Sequence, residues 1–232
     1  MIRLTKQEEP DILRNNGAAW LKVIEDKLAA GETPTDADKG RYRHSDIKEV
    51  LKVETHGKCA YCESRLLHIA FGDVEHIAPK SLKLADTFRW DNLTLACDVC
   101  NTYKRDVANL VDPYIDDPNH FFKFLGPMIY ANPSEPKSII TTKQLRLNRP
   151  DLVASRAKRL DAISSIMLVI KTTQDPDVRA VLIDDLRNNE TADDSEYAAF
   201  VRSFLSVVDD ELPNDNDVTE PIEAPSMRER PF

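Results

Sequence analysis

The chain has 232 residues, of which 41% are apolar and 7% aromatic, enough for one compact domain or a small catalytic module with helical additions. Six glycines and fourteen prolines exclude a low-complexity chain. No run approaches the ~18 apolar residues of a membrane helix, and the first ten residues lack the apolar stretch of a signal peptide. We therefore expect a soluble cytoplasmic protein, in which cysteines bind metal more readily than they form disulfides.

The formal net charge of −9 is unexpected for a protein that binds nucleic acid, but it is concentrated at one end. Residues 172–232 contain 5 Lys or Arg and 16 Asp or Glu, whereas residues 1–171 contain 26 and 24. The acidity therefore belongs to the C-terminal quarter. The other three quarters are near neutral, which permits a local basic groove without demonstrating one.

Apolar residues at helical spacing begin the chain and predict a helix over residues 10–30. Its apolar stripe comprises Trp20, Val23, Ile24 and Leu28. The Gly and Pro of residues 31–34 end it. A second short helix is predicted over residues 45–55, with Ser45 as its N-cap.

Residues 57–108 have a different pattern, which predicts the order strand, loop, strand, helix. The predicted parts are a tight turn at 57–62, a strand at 66–74 loosened by Gly72, a loop at 79–89, a short strand or turn at 90–96, and a helix at 98–108 capped by Asp98.

Proline and glycine interrupt residues 111–127, where Phe121, Phe122 and Phe124 are expected to pack against the core. Helices are predicted at residues 151–171, 177–188 and 193–209. The apolar stripe of the last helix either docks on a partner or is the helix's own core face, and the second is slightly favoured. That stripe comprises Tyr197, Phe200, Val201, Phe204 and Leu205.

The pattern divides the chain into four segments. They are an N-terminal helical segment at 1–56, a small core at 57–110, a helical region at 111–210, and an acidic tail at 211–232. From residue 213 onwards the tail lacks periodicity and contains proline, so we expect it to be disordered or bound to a partner.

All four cysteines fall into two Cys-x-x-Cys pairs, Cys59 with Cys62 and Cys97 with Cys100. A two-residue gap lets both thiolates of a pair reach one ion, and two pairs complete the four-thiolate set that zinc favours. With no open coordination position, this zinc is expected to be structural. Four-cysteine zinc sites also occur in binding modules without catalytic activity, so zinc alone does not indicate an enzyme.

A carboxylate directly before a histidine lies between the two cysteine pairs. At the end of a strand, Glu75 and His76 point to opposite sides of the backbone, so Glu75 could hold a metal while His76 faces a substrate phosphate and water. Asp73 shares the parity of Glu75 and could be a second carboxylate ligand. Asn92 and Asn101 follow, the latter early in the predicted helix.

This pattern resembles the HNH, or ββα-metal, nuclease superfamily. The match comprises Cys59-x-x-Cys62, Val74-Glu75-His76-Ile77-x-Pro79, Asn92-Leu93, and Leu95-Ala96-Cys97-x-x-Cys100-Asn101-x-x-Lys104. The resemblance implies that His76 is the general base, that Glu75 and Asn101 hold a catalytic divalent ion, and that Asn92 braces the loop. The expected fold class is α+β, a mostly helical chain around a small zinc-bound ββα-metal core.

The chain departs from the family pattern at two positions. Asn101 stands where histidine is common, and Glu75 where Asp is also common, which leaves the metal preference open. An amide oxygen at position 101 favours Mg²⁺ or Mn²⁺. Contacts to neighbouring phosphates are expected from Lys104, about one helical turn after Asn101, and from Lys80, Lys83, Arg105 and Arg89. Apart from Lys104, these side chains could equally be plain solvated surface.

The wider chain resembles a narrower group, the PtuB-type HNH proteins of Septu and retron anti-phage systems. The resemblance rests on Lys58–Glu63, Leu110–Pro113 with His120 and Phe121, and Leu145–Arg149 followed by Arg156. It implies a DNA-cleaving effector paired with an ABC/SMC-like ATPase of the PtuA type. The alternatives are a stand-alone restriction-type nuclease, and a non-catalytic zinc module that binds nucleic acid or protein.

Overall fold

Helices make up most of the chain, which this computed structural model describes at residues 1–66 and 72–208. Nine α-helices lie within these residues: α1 Asp11–Ala29, α2 Asp36–Lys39, α3 Ser45–Glu54, α4 Asp98–Lys104, α5 Pro118–Phe121, α6 Pro136–Gln144, α7 Pro150–Thr172, α8 Pro176–Asn188 and α9 Ala198–Val208. A short 3₁₀ turn at Arg41–Arg43 connects α2 to α3, and two more, at Leu84–Phe88 and Trp90–Asn92, lie between the first two strands.

The strands form two separate antiparallel pairs. β1 (Asp73–His76) pairs with β2 (Leu93–Ala96), so that His76 lies opposite Leu93. β3 (Phe122–Leu125) pairs with β4 (Met128–Ala131). The first pair carries the carboxylate and histidine of the predicted site, and α4 follows β2 after a single residue, Cys97.

The predicted N-terminal helices are confirmed with two corrections. Leu28 was expected on the apolar stripe of α1, but it is 51% exposed because Leu13, Gly17 and Ile24 form the buried face instead. Ser45 was expected to cap α3. The cap is His44, whose side chain accepts a hydrogen bond from the Asp46 amide, and Ser45 is the first helical residue.

The predicted order of strand, loop, strand and helix is present. Residues 67–71 of the first predicted strand lie outside the described residues, and the described strand continues to His76, beyond the predicted end at Val74. The predicted loop contains a 3₁₀ turn, Leu84–Phe88. Asp98 was expected to cap α4, but Cys97 is the cap, because its sulfur accepts the Cys100 amide hydrogen bond at 3.3 Å.

Four elements were not predicted: α2, α5, α6 and the β3–β4 hairpin. The glycine and proline of residues 126–127 were interpreted as a break between loops. They form the hairpin turn itself, with Gly126 at a φ of 53°. Phe122 packs in the core as expected, while Phe121 and Phe124 are partly buried against it.

The three C-terminal helices are present, but the last one begins at Ala198 and not at residue 193, because residues 193–197 form turns. This last helix answers an open question. Tyr197, Phe200, Val201 and Leu205 are each at most 7% exposed, and Phe204 packs against them, so the apolar stripe is a core face. The expectation for residues 213–232 falls outside the described residues.

One buried cluster joins the N-terminal helices, the β1–β2 pair and the C-terminal helices. It includes Leu13 and Ile47 from the first helices, Leu95 from β2, and Ile163 and Phe200 from the C-terminal helices. Residues that precede and residues that follow the β1–β2 pair in the sequence therefore pack together around the site described next. Within the described residues, no helix combines the length and the apolar character that crossing a bilayer requires.

Candidate active site

The four cysteines converge on one point. Their sulfur atoms all lie within 4.8 Å of one another, and all four residues are buried. Cys62 Sγ and Cys97 Sγ are 3.9 Å apart. Tetrahedral zinc with Zn–S bonds of about 2.3 Å would place its sulfurs roughly 3.8 Å apart. The donor set and its spacing therefore fit zinc, and each cysteine pair contributes two sulfurs.

Backbone hydrogen bonds hold the first cysteine pair in place. Gly57, at a φ of 69°, turns the chain into the pair. The Cys59 amide donates to the Ser64 carbonyl at 2.9 Å, and the Ala60 amide donates to the Leu95 carbonyl at 2.9 Å. The second bond ties the first pair to β2, which leads directly into the second pair.

A guanidinium from the C-terminal region completes the surroundings of the sulfurs. Nη1 of Arg149 lies 3.8 Å from Cys100 Sγ. Burial alone would lower the pKa of Arg149, but the cysteine sulfurs, Cys100 first, outweigh it and raise that pKa. Burial raises the pKa of the Cys59 thiol well above its usual value, so thiolates here need cations beside them.

A polar pocket of about 300 Å³ lies at β1 and the adjoining face of α4. Its lining includes the predicted site residues Asp73, Glu75, His76, Asn101, Lys80 and Arg105. The structure thus brings six of the predicted residues to one concavity.

β1 and α4 face each other through two polar contacts. Nδ2 of Asn101 donates to Oδ2 of Asp73 at 3.0 Å. One helical turn further, Nζ of Lys104 lies 2.9 Å from Oε1 of Glu75. Burial raises the pKa of Glu75, and Lys104 opposes that rise. The two carboxylates are therefore on the α4 side of β1, as their shared parity predicts.

His76 points to the other side of β1. Its Nε2 lies 2.9 Å from the Thr87 carbonyl, which can only accept, so Nε2 carries the proton and Nδ1 is the bare nitrogen. The Tyr42 ring packs edge-on against the imidazole with centroids 4.4 Å apart. Burial lowers the pKa of His76 to about 4, helped by Lys80, Lys104 and Arg43, so the ring is neutral at pH 7.

Asn92 ties the residues after β1 to the turn before β2. Its Nδ2 donates to the carbonyls of Ala78 at 3.0 Å and Asp86 at 3.1 Å, and its Oδ1 accepts the Ala78 amide at 2.7 Å. Asn92 therefore does not reach the pocket lining, and acts through the backbone of the loop that holds Thr87.

Lys104 apart, two of the residues predicted to bind phosphate line the pocket and two do not. Lys80 and Arg105 line the pocket, and Nζ of Lys80 donates to the Tyr42 hydroxyl at 2.9 Å. Lys83 is exposed and lies 3.3 Å from Asp86, away from the pocket lining. Arg89 is held by Asp86 and Asp91.

Lys104 requires a correction. It was expected to contact phosphate, but it is fully buried, with its ammonium beside Glu75. The reason is its position on α4: the spacing from Asn101 turns it inward toward β1 instead of outward to solvent.

Three pocket residues were missed by sequence reasoning: Tyr42, Arg43 and Asp106. Tyr42 and Arg43 come from the 3₁₀ turn between α2 and α3, more than thirty residues before His76. The basic and aromatic run at residues 41–44 was a local signal, but nothing in the sequence placed it beside the histidine.

The described oxygen donors fit a divalent ion that retains water. The four cysteines are the one group of three or more Cys, His, Asp or Glu residues close enough to share an ion within residues 1–66 and 72–208. A second ion would have two carboxylates, from Asp73 and Glu75, and the Asn101 amide oxygen. Mg²⁺ commonly binds one or two carboxylates and keeps several waters.

These features define a class of protein. Residues 59–106 match the HNH endonuclease family, a span that runs from the first cysteine to a residue lining the pocket. The chain therefore carries an HNH endonuclease domain and is an enzyme of the nuclease class.

The similarity extends beyond that domain. The chain is 25% identical over 228 residues to the Septu protein PtuB of Bacillus mycoides (strain KBAB4), and the alignment covers 77% of each protein. The pocket residues Tyr42 and Arg43 lie outside the span that matches the HNH family.

Proposed function

We propose that this chain hydrolyses phosphodiester bonds of DNA, with His76 as the general base and a divalent ion held by Glu75, Asn101 and Asp73. The observation that carries the proposal is the fixed tautomer of His76. Its Nε2 is committed to the Thr87 carbonyl, so Nδ1 is free to take a proton in a pocket shared with both carboxylates.

The neutral state of His76 suits this role. With its pKa lowered to about 4, the ring is unprotonated at pH 7 and can accept a proton from an attacking water. Tyr42 restricts the ring from one side, and the Thr87 hydrogen bond restricts it from the other. Both contacts orient the imidazole before substrate arrives.

The side of the pocket with Asp73 and Glu75 would bind the divalent cation, and the cationic residues of the pocket would bind the phosphate. Mg²⁺ or Mn²⁺, when bound, would supply Lewis acidity that stabilises the negative charge developing on the phosphate and the leaving oxygen. Asn101 holds Asp73 in position, and Lys104 holds Glu75, so both carboxylates have fixed orientations. Lys80, Arg43 and Arg105 line the same pocket and would bind the phosphate oxygens.

The four cysteines would hold a structural zinc ion. The two pairs supply four sulfurs and leave no position for a substrate water. Zinc here would fix β2 and the start of α4 to the turn at residues 57–62, and so maintain the spacing of Asn101 from Asp73.

The decisive experiment replaces the proposed base. His76→Ala should lower the rate of DNA cleavage in Mg²⁺ or Mn²⁺ by about 10²–10⁴-fold, the usual contribution of a general base. The matched control is His120→Ala, because His120 is an exposed histidine that pairs with Glu135 on a different face. Both variants should keep their zinc and a cooperative melting transition, although His76→Ala, at a buried position, should melt at a lower temperature than His120→Ala.

The outcomes separate the alternatives. Cleavage by His76→Ala at the wild-type rate would overturn the assignment of the base. Absence of cleavage by the wild-type protein on DNA, with cleavage of an RNA of the same sequence, would overturn the DNA substrate and leave the chemistry intact. DNA and RNA duplexes and single strands should therefore be tested side by side.

We further propose that the chain acts in anti-phage defence with an ATPase partner. The support is the 25% identity to a Septu protein across 77% of the chain, together with the resemblance to PtuB-type proteins. Co-expression with the ATPase of a neighbouring gene should yield a stable complex. Full cleavage activity without any such ATPase would favour a stand-alone nuclease.

A further inference from the structure

The polar pocket that contains Asp73, Glu75, His76 and Asn101 is called the catalytic pocket from here on, after its proposed role. A second concavity, of about 630 Å³, opens on the side of α4 away from the catalytic pocket. We call it the Arg146 groove. Its lining includes Tyr103, Lys143, Arg146, Asn148, Arg149 and Asp151. Three of these are cationic and one is acidic, although the groove lies outside the residues expected to bind nucleic acid.

The charges in the groove are not equally available. Nε of Arg149 lies 3.4 Å from Asp151, and its Nη1 is directed at Cys100 Sγ. The positive charge of Arg149 is therefore already balanced by the Asp151 carboxylate and by the cysteine sulfurs. Lys143 and Arg146 are exposed, and neither has a carboxylate partner among the described residues, so both positive charges remain for a ligand.

Arg146 is held in place rather than free in solvent. Its guanidinium lies 4.4 Å from the centre of the Tyr103 ring, and its Nη1 is 3.3 Å from the Tyr103 hydroxyl. A guanidinium stacked on an aromatic ring keeps its outward N–H groups for an anion, and its planar fork matches two phosphate oxygens.

The backbone around Arg146 fixes this orientation. Leu145 and Leu147 on either side are fully buried, and Arg146 itself has a φ of 47°. Asn148 exchanges two hydrogen bonds with the backbone of Ile129 in β4, at 2.9 and 2.8 Å. The segment Leu145–Arg149, part of the resemblance to PtuB-type proteins, thus holds one arginine outward between two buried leucines.

α4 relates the groove to the catalytic pocket. Asn101 and Arg105, four residues apart, line the catalytic pocket, whereas Val99 and Tyr103 line the Arg146 groove. The two concavities are therefore separated by one helix, about 10 Å across with its side chains. At the axial spacing of about 3.4 Å per nucleotide in one strand, that distance corresponds to about three nucleotides.

We propose that the Arg146 groove binds a backbone phosphate of the substrate DNA, about three nucleotides from the cleaved bond, through Arg146 and Lys143. The inference rests on the proposed nuclease function and adds a second contact to it. This phosphate contact adds to the affinity for DNA independently of the catalytic pocket and of base sequence.

The test measures how DNA affinity depends on salt. A fluorescent 25-base-pair DNA duplex is titrated with full-length protein in the His76→Ala background, so that the DNA stays intact. Each phosphate contact contributes about 0.9 to the slope of log affinity against log salt. The double variant Lys143→Gln with Arg146→Asn removes both cations from one phosphate and should lower the slope by about 0.9. Asparagine replaces Arg146 because it tolerates a positive φ.

The matched control removes the same charge elsewhere. Lys123 in β3 and Lys158 in α7 lie outside the linings of the catalytic pocket and the Arg146 groove. Lys123→Gln with Lys158→Gln should leave the slope unchanged. If the Arg146 variant does not fold, Lys143→Gln alone should still lower the slope relative to the control pair, by up to about 0.9.

A slope equal to that of the control pair would overturn the proposal. The same result with loss of ATPase co-purification would assign the groove to a protein partner instead. Failure of the nuclease function is distinguishable, because DNA binding is measured without cleavage. A lowered slope with an inactive wild-type enzyme refutes the nuclease assignment alone, and an active enzyme with an unchanged slope refutes the groove alone.

Discussion

Lys104 and Glu75 form a buried ion pair, of which Glu75 lines the pocket that contains His76 and Lys104 lies behind it. The Lys104 side chain is fully buried and that of Glu75 is 12% exposed, with 2.9 Å between the charged atoms. Removing one partner of such a pair leaves an uncompensated charge in a poorly solvated place. Lys104 therefore stabilises the site, and the proposed metal ligand is oriented by a residue that substrate does not touch.

Lys104→Met should lower the free energy of unfolding by on the order of 3 kcal/mol, because Glu75 loses its counter-charge. Glu75→Gln combined with Lys104→Met should recover part of that loss, since the double variant buries no unpaired charge. Urea unfolding of the two single variants and the double variant gives the coupling energy. If the stability losses of the two single variants simply add up in the double variant, the coupling energy is zero and the ion pair is contradicted.

The spacing of the cysteine pairs, Glu75, His76 and Asn101 within a short segment predicted that they share one region. The structure brings the four sulfurs together and places the other three residues in one pocket. Lys104 could not be assigned correctly, because its burial depends on how α4 packs across β1. Arg43 was missed for a related reason: its proximity to His76 is created by the packing of two segments that are distant in sequence.

The short element α2 and the 3₁₀ turn after it carry Tyr42 and Arg43 to the pocket. Asp38 holds this element in place: it accepts hydrogen bonds from Lys27 of α1 at 2.5 Å and from the Thr35 hydroxyl at 2.7 Å. A four-residue helix has little stability of its own. The ion pair with α1 therefore supports one wall of the catalytic pocket from a distance.

The hydrogen bonds from Lys27, then Thr35, hold the pKa of Asp38 well below its ordinary value of 3.8. A depressed folded-state pKa stabilises the fold at pH values above 3.8, and this contribution disappears as the pH falls further. Asp38→Asn should therefore lower the melting temperature at pH 7, and the difference from wild type should shrink in strongly acidic buffer.

Asp36→Asn is the matched control for Asp38→Asn. Asp36 lies in the same helix with a fully exposed side chain, and its closest cation, Lys39, is 3.7 Å away. Calorimetry of both variants between pH 2 and 7 makes the comparison. A melting temperature for Asp38→Asn that matches Asp36→Asn across that range would show that Asp38 does not stabilise the element.

At the level of elements, the helices of ten or more residues were all predicted, whereas of the shorter ones only α4 was, because the second cysteine pair marks its start. α7 spans 23 residues, and its buried Leu152, Ile163, Met167 and Ile170 recur at helical spacing, so its length and spacing predicted it. The β3–β4 hairpin has four residues per strand, and its Gly-Pro turn is equally typical of a loop. Such short elements are determined by their tertiary packing, here against the face of α9 that includes Phe200.

For the whole molecule, the cysteine site joins three distant parts of the sequence. It links the turn at residues 57–62 to α4, and Arg149 links it to the start of α7. The free energy of metal binding at a structural site contributes directly to folding. We therefore expect the stability of the entire described fold to depend on the bound metal.

Purified protein should contain about one zinc ion per chain by elemental analysis. Removal with a chelator should abolish the cooperative melting transition, and zinc should restore it. Arg149→Gln should release zinc at a lower chelator concentration than wild type, since a cation beside the thiolates is lost. Arg14→Gln, an exposed surface change on α1, serves as the control. Zinc-free protein that melts like wild type would contradict a structural role.

The pairing of β1 with β2 limits how the enzyme can change over evolution. Because neighbouring residues of a strand face opposite ways, inserting or deleting one residue within Asp73–His76 would exchange the sides on which carboxylate and imidazole lie. Length changes in this family of sequences should therefore accumulate at the exposed residues 81–83, between the pocket residue Lys80 and the turn that Asn92 braces, and be absent from β1. That loop is the place where an insertion could extend the protein without disturbing its chemistry.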